Sequence, residues 1–208
     1  MGARKILSPA DQTRIAAAIA EVERRSSAEL VVVVAHRSAN YAAYSGLLAA
    51  GVSLLAGWTA ALIAPDLPVA HFAILQGLLL IGGGALCLLT PLGVILVPSD
   101  VKRARAAALA RLEFANLVNN RTHRKDGVLL FLSLAEHYIE IIADDAIAAV
   151  IPQDRWQQMV SQFIAKAKGA PIGDSLHGLV KECGAILAEH FPAQPGQANE
   201  LANRVKEI

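Results

Sequence analysis

Between Arg37 and Lys102 the chain carries two formal charges, Asp66 and Asp100, and the residues around them are overwhelmingly apolar. Two long runs, about 44–64 and 70–89, flank Asp66, and the second trails through Pro91 to Val97. Each supplies the ~20 residues that a helix needs to cross a ~30 Å hydrocarbon layer. The join, Pro65-Asp66-Leu67-Pro68, sets two helix breakers and one charge in a tight turn. Residues 41–97 are therefore expected to form a transmembrane helical hairpin. A buried hairpin in a large soluble core, or a hydrophobic dimer interface, would share the apolar runs, but core helices of this length normally keep a polar edge.

Within the first run Ser45, Ala49, Ser53, Gly57 and Ala61 recur every fourth residue, which predicts a small-residue face for close helix packing. Gly77 and Gly84 offer a facing stripe on the second run. Tyr41, Tyr44 and Trp58 sit where interfacial aromatics belong. Arg37 precedes the hairpin and Lys102, Arg103, Arg105 and Arg111 follow it, while the turn has no Lys or Arg. The positive-inside rule then puts both ends in the cytoplasm and the Asp66 turn outside, in an inner or plasma membrane. The segment MGARKILSPADQ has no apolar stretch long enough for a cleaved signal peptide.

Outside the hairpin the periodicity changes. Ser8-Pro9-Ala10-Asp11 reads as a helix start, with Ser8 as N-cap, Pro9 in the first turn and Asp11 closing the cap. Ile15, Ile19 and Val22 mark its apolar face as far as about Arg25. Ala28 to Val34 is a β-branched run whose continuous apolarity predicts a strand covered on both faces. From Asp100 to about Val118 the pattern is helical, with Ala104, Ala108, Leu112, Phe114, Leu117 and Val118 as the expected buried positions. Val128–Leu134 and Tyr138–Ala143, joined by Ala135-Glu136-His137, predict an antiparallel pair. Trp156, Met159, Val160, Phe163 and Ile164 form one helical stripe. Leu176, Leu179, Val180, Cys183, Ile186 and Leu187 form another. Residues 193–208 read as a polar, poorly ordered tail.

The fold class is therefore α/β, with residues 1–38 and 98–192 as two parts of one domain and the hairpin inserted between them. Composition agrees: 54% of the 208 residues are hydrophobic and only 18% charged, against about 25% in ordinary soluble domains. The net charge of +1 gives no electrostatic case for nucleic acid. Two cysteines exclude a disulfide-rich scaffold and a four-cysteine zinc site. Neither apolar run holds Asp, Glu, Lys or Arg, which argues against a channel or transporter. No nucleotide-binding glycine loop, zinc-protease motif or nucleophile elbow is present, so no catalytic residue and no organic cofactor is assigned.

Three segments carry a family resemblance. They are Ser27-Ala28-Glu29-Leu30-Val31-Val32-Val33, the stretch from Asp126-Gly127-Val128 through Ala135-Glu136 to Ile142-Ala143-Asp144-Asp145, and the stretch from Gly178-Leu179 to Phe191-Pro192. Over about residues 8–38 and 100–192 the chain resembles the TPM domain family. The resemblance implies an α/β/α sandwich with a membrane tether, weak acid-phosphatase activity, divalent-metal binding, and roles in assembling or repairing membrane complexes. Better-known members carry a glycine-rich acidic turn where this chain has Asp144-Asp145-Ala146-Ile147.

Two polar clusters are candidate sites. Asp144 and Asp145 at a strand end, joined by Glu29 at the start of another, would suit a hard cation such as Ca²⁺ or Mg²⁺. A metal there could polarise a phosphate. The same pair would equally cap backbone amides in an exposed turn. Arg121, His123, Arg124 and Lys125 could hold a phosphate or an anionic lipid headgroup, or form a solvated basic loop. Glu136 and His137 resemble an acid–base pair but are expected in an exposed turn. The reading that follows is a membrane-anchored, non-catalytic binding or assembly module whose partners are the lipid bilayer and other membrane proteins. The alternative is a weak metal-dependent acid phosphatase using Asp144 and Asp145.

Overall fold

The computed structural model describes residues 6–66, 68–90, 92–119, 127–194 and 204–208. The chain divides into two units, Met1–Ser38 with Arg105–Ile208, and Ala39–Ala104.

The first unit is an α/β/α sandwich. Helix α1 (Pro9–Arg25) starts at Ser8, whose hydroxyl accepts from the Asp11 amide at 3.1 Å and donates to the Asp11 carboxylate at 2.7 Å. Strand β1 (Glu29–Ala35) is buried along almost its whole length. Strands β2 (Gly127–Ser133) and β3 (Tyr138–Ala143) form the expected antiparallel pair, and β2 runs parallel to β1. Parallel neighbours need a crossover, so the chain leaves β1, makes the apolar hairpin and returns through α5 (Ser99–Phe114) before entering β2.

Two cores cover the two sheet faces. Even-numbered residues of β1 and β2 pack with Ile15, Ile19 and Val22 of α1, and with α7 (Gln153–Ala167) and α8 (Ile172–His190). The odd-numbered Val33, Leu129 and Phe131 pack with Ala106 and Ala110 of α5. On α8 all six residues of the expected stripe are buried. On α7 Trp156, Met159 and Phe163 are buried, while Ile164 is 45% exposed.

Two expectations for this unit are corrected. The tail does not lie wholly outside the fold: Val205–Glu207 forms β4, parallel to the free edge of β1, giving the order β3-β2-β1-β4. The Glu207 carboxylate accepts from the amides of Ile6 and Leu7 and from Gln12 Nε2, and Lys206 pairs with Glu113 at 2.6 Å. The second correction concerns α5. Its buried residues are Ala106, Ala110 and Glu113, whereas Ala104, Ala108 and Leu112 are exposed. Phe114 and Leu117, also expected to be buried, do pack in part against the core beneath α5, beside Leu109. A short π-helical turn, Ala115–Asn119, follows α5.

The second unit holds α2 (Ala42–Ile63) and α3 (Val69–Leu89), two helices long and apolar enough to cross a membrane, followed by the short α4 (Leu92–Ile95). They pack antiparallel. The small-residue face of α2 is indeed the buried one, at Ser45, Ala49, Ser53 and Gly57. Its counterparts differ from those expected. Ser53 Oγ donates to the Gln76 carbonyl at 2.7 Å, Gly57 lies under the Gln76 side chain, and Ala49 meets Gly83. Gly77 and Gly84 face open space, because α3 is rotated so that Gln76 and Gly83 meet α2. The rest of the pair is uncovered: α3 has no buried residue, and Leu62, Ile63 and Leu89 are each at least 79% exposed.

Candidate functional site

The candidate acidic residues meet at one end of the sheet. Glu29 is the first residue of β1 and stands in register with Gly127, the first of β2. Asp144 follows β3, and its amide donates to the Gly127 carbonyl at 3.0 Å, so it extends the ladder by one residue. Side chains alternate along a strand. Glu29 and Asp144 therefore both project from the face covered by α5, with Gly127 between them lacking a side chain. Two strand spacings, about 10 Å, separate their backbones. Both residues are buried, Asp144 at 7% exposure and Glu29 at 4%.

The adjacent carboxylates part company. Asp144 caps the short helix α6 (Asp145–Ala148): one oxygen, Oδ1, accepts from the Asp145 amide at 2.7 Å. Its other oxygen, Oδ2, is buried with no hydrogen-bond partner among the described residues. Asp145 is exposed to solvent. Buried polar atoms are nearly always paired, so Oδ2 is an atom where a further ligand would be accommodated. A hard cation asks for six or more oxygens. Among the described residues no group of three or more His, Cys, Asp or Glu gathers to hold a metal ion. Arg121, His123, Arg124 and Lys125 lie outside the described residues.

A second polar cluster escapes pattern reading. Glu136, in the β2–β3 turn, is buried rather than exposed, while His137 is exposed with φ of 50°. The Glu136 carboxylate accepts from the Ser133 hydroxyl and, at 3.0 Å, from the Ser38 amide; the Ser38 hydroxyl donates to Ser133 Oγ at 2.7 Å. Glu136 therefore fastens the segment leaving β1. The sequence signal was available in the serines, but the partners lie 95 and 98 residues apart.

Arg14 bridges Asp11 and Asp174, joining α1 to α8. Burial holds the His177 imidazole below its ordinary range, helped by Arg14 and Lys181 and opposed by Asp174. Burial pushes the Cys183 thiol up to about 12, so it is an inert core residue. A groove of about 250 Å³ between α7 and α8 is lined by residues including Arg155, Gln158, Met159 and Glu182, and by none of the candidate carboxylates.

No protein-family model matches the chain, and no curated protein does so. A solved structure does: the NMR structure of BA42 protein from the psychrophilic bacterium Bizionia argentinensis aligns over 99% of this chain and 97% of that one, with a TM-score of 0.61. At 16% sequence identity this likeness is one of fold.

Proposed function

We propose that the protein is a membrane-anchored TPM-like domain protein acting as a non-catalytic binding or assembly module for other membrane proteins. The observation that carries the anchoring is the surface of α2 and α3. These helices bury only a small-residue seam against each other and leave aliphatic side chains uncovered around the rest of their circumference. Exposed apolar surface of this extent is stable in lipid and a liability in water. The flanking Lys and Arg residues support a cytoplasmic position for the sheet domain, with Asp66 on the far side.

The non-catalytic reading rests on what surrounds the best polar site. Asp144 is engaged in capping and Asp145 is exposed to solvent. A second reading, a weak metal-dependent acid phosphatase, is favoured by one observation: the buried Oδ2 of Asp144 on the same sheet face as Glu29. The purified full-length chain, assayed on p-nitrophenyl phosphate with and without Ca²⁺ or Mg²⁺, is expected to turn over no faster than its Asp144→Asn/Asp145→Asn variant. Metal-dependent hydrolysis lost in that variant would establish the phosphatase instead.

A further inference from the structure

Helix α5 leaves an apolar strip facing outwards. Its inward side is taken by Ala106, Ala110 and Glu113, and on the opposite side Arg105, Ala108, Arg111 and Leu112 are all exposed, Leu112 at 56%. At 3.6 residues per turn these four cover roughly 120° of the helix surface in the order Arg111, Ala108, Leu112, Arg105. An apolar centre is thus edged by a cation on each side. Neither arginine takes part in an ion pair among the described residues, and of the two carboxylates of α5, Asp100 lies in its first turn and Glu113 is turned inwards to Lys206.

We infer that this strip rests on an anionic lipid surface, with Leu112 and Ala108 entering the headgroup–acyl boundary and Arg105 and Arg111 reaching lipid phosphates. The inference rests on the membrane reading of α2 and α3. Nine residues lie between Leu89 and Ser99, four of them helical, which keeps the start of α5 within about 25 Å of the end of α3. Unpaired arginines on a helix that closely follows an apolar span suit the phosphates of an anionic lipid surface. The charge complements the anionic cytoplasmic leaflet, on the side where the flanking basic residues place this domain.

The test uses the full-length chain in nanodiscs, with Cys87→Ala and a fluorophore on Ala108→Cys. Acrylamide quenching is compared with that of a label on Gln157→Cys, an exposed site on α7. In discs containing phosphatidylglycerol the label at position 108 is expected to be shielded relative to position 157. In purely zwitterionic discs the shielding should be largely lost. Arg105→Gln and Arg111→Gln, both at exposed positions, should each weaken surface association about fivefold. Roughly 0.5 M salt, which shortens the Debye length to a few ångströms, should weaken it too. Equal quenching at 108 and 157 in both lipids overturns the inference. Shielding that ignores lipid charge and both arginines also overturns it, and points to a protein contact instead. A label on Ile74→Cys in α3 separates the two levels. If it is shielded while position 108 is not, the inference alone fails; if it is quenched freely, the membrane reading itself fails.

Discussion

Gly184 sets how closely α1 and α8 approach. A methyl group there would overlap the Val22 side chain, so the two helices meet at van der Waals distance only because position 184 lacks one. Gly184→Val is expected to destabilise the protein by about 1–3 kcal/mol, the usual cost of overpacking, as measured by chemical denaturation. His177 on the same helix gives a pH signature. Burial, with Arg14 and Lys181, holds its folded-state value below the ordinary 6.5, so as pH falls the unfolded chain takes up this proton first. The stability it contributes is present above that value and is lost on acidification towards the folded-state value. In His177→Gln the melting temperature should therefore fall less between about pH 7 and pH 5 than in the parent protein. Both sites were legible in part: the periodicity of α8 marks its buried face, but neither Val22 beneath Gly184 nor Arg14 beside His177 follows from spacing within one helix.

Elements with a strong period were legible and those held by distant partners were not. The boundaries of α1, β1 and the β2–β3 pair follow from the Ser8 cap, the β-branched run and the alternation around Ala135-Glu136-His137. Strand β4 has three residues and two charges, with no pattern to announce it; its place depends on β1 having a vacant edge and on Glu207 meeting amides about 200 residues away. Glu207→Ala strips three half-buried donors of their acceptor and is expected to cost roughly 1–3 kcal/mol. Hydrogen exchange should then quicken first at the amides of His36 and Ile208, which bond across this edge. Helix α5 and the turn after it were legible in part: Phe114 and Leu117 pack against the core as expected, but Ala106 and Ala110, rather than Ala104, Ala108 and Leu112, lie over Val33, Leu129 and Phe131. At the candidate site the carboxylates were legible as residues, but the opposite exposures of Asp144 and Asp145 depend on the cap of α6.

At the scale of the whole molecule, one chain carries two solvents' worth of surface. The sheet domain buries its apolar residues between helices on both faces, as a protein in water must. Helices α2 and α3 do the reverse, exposing Leu, Ile and Val and hiding Ser, Ala and Gly. The length and charge-free composition that distinguish them were plain in the sequence, because an apolar run of about 20 residues is legible without any tertiary partner. Flotation of cell membranes on a density gradient after an alkaline carbonate wash tests the central claim most directly. The full-length chain should rise with the lipid, retained by α2 and α3. Recovery of folded, monodisperse protein in the aqueous load fraction would contradict the account.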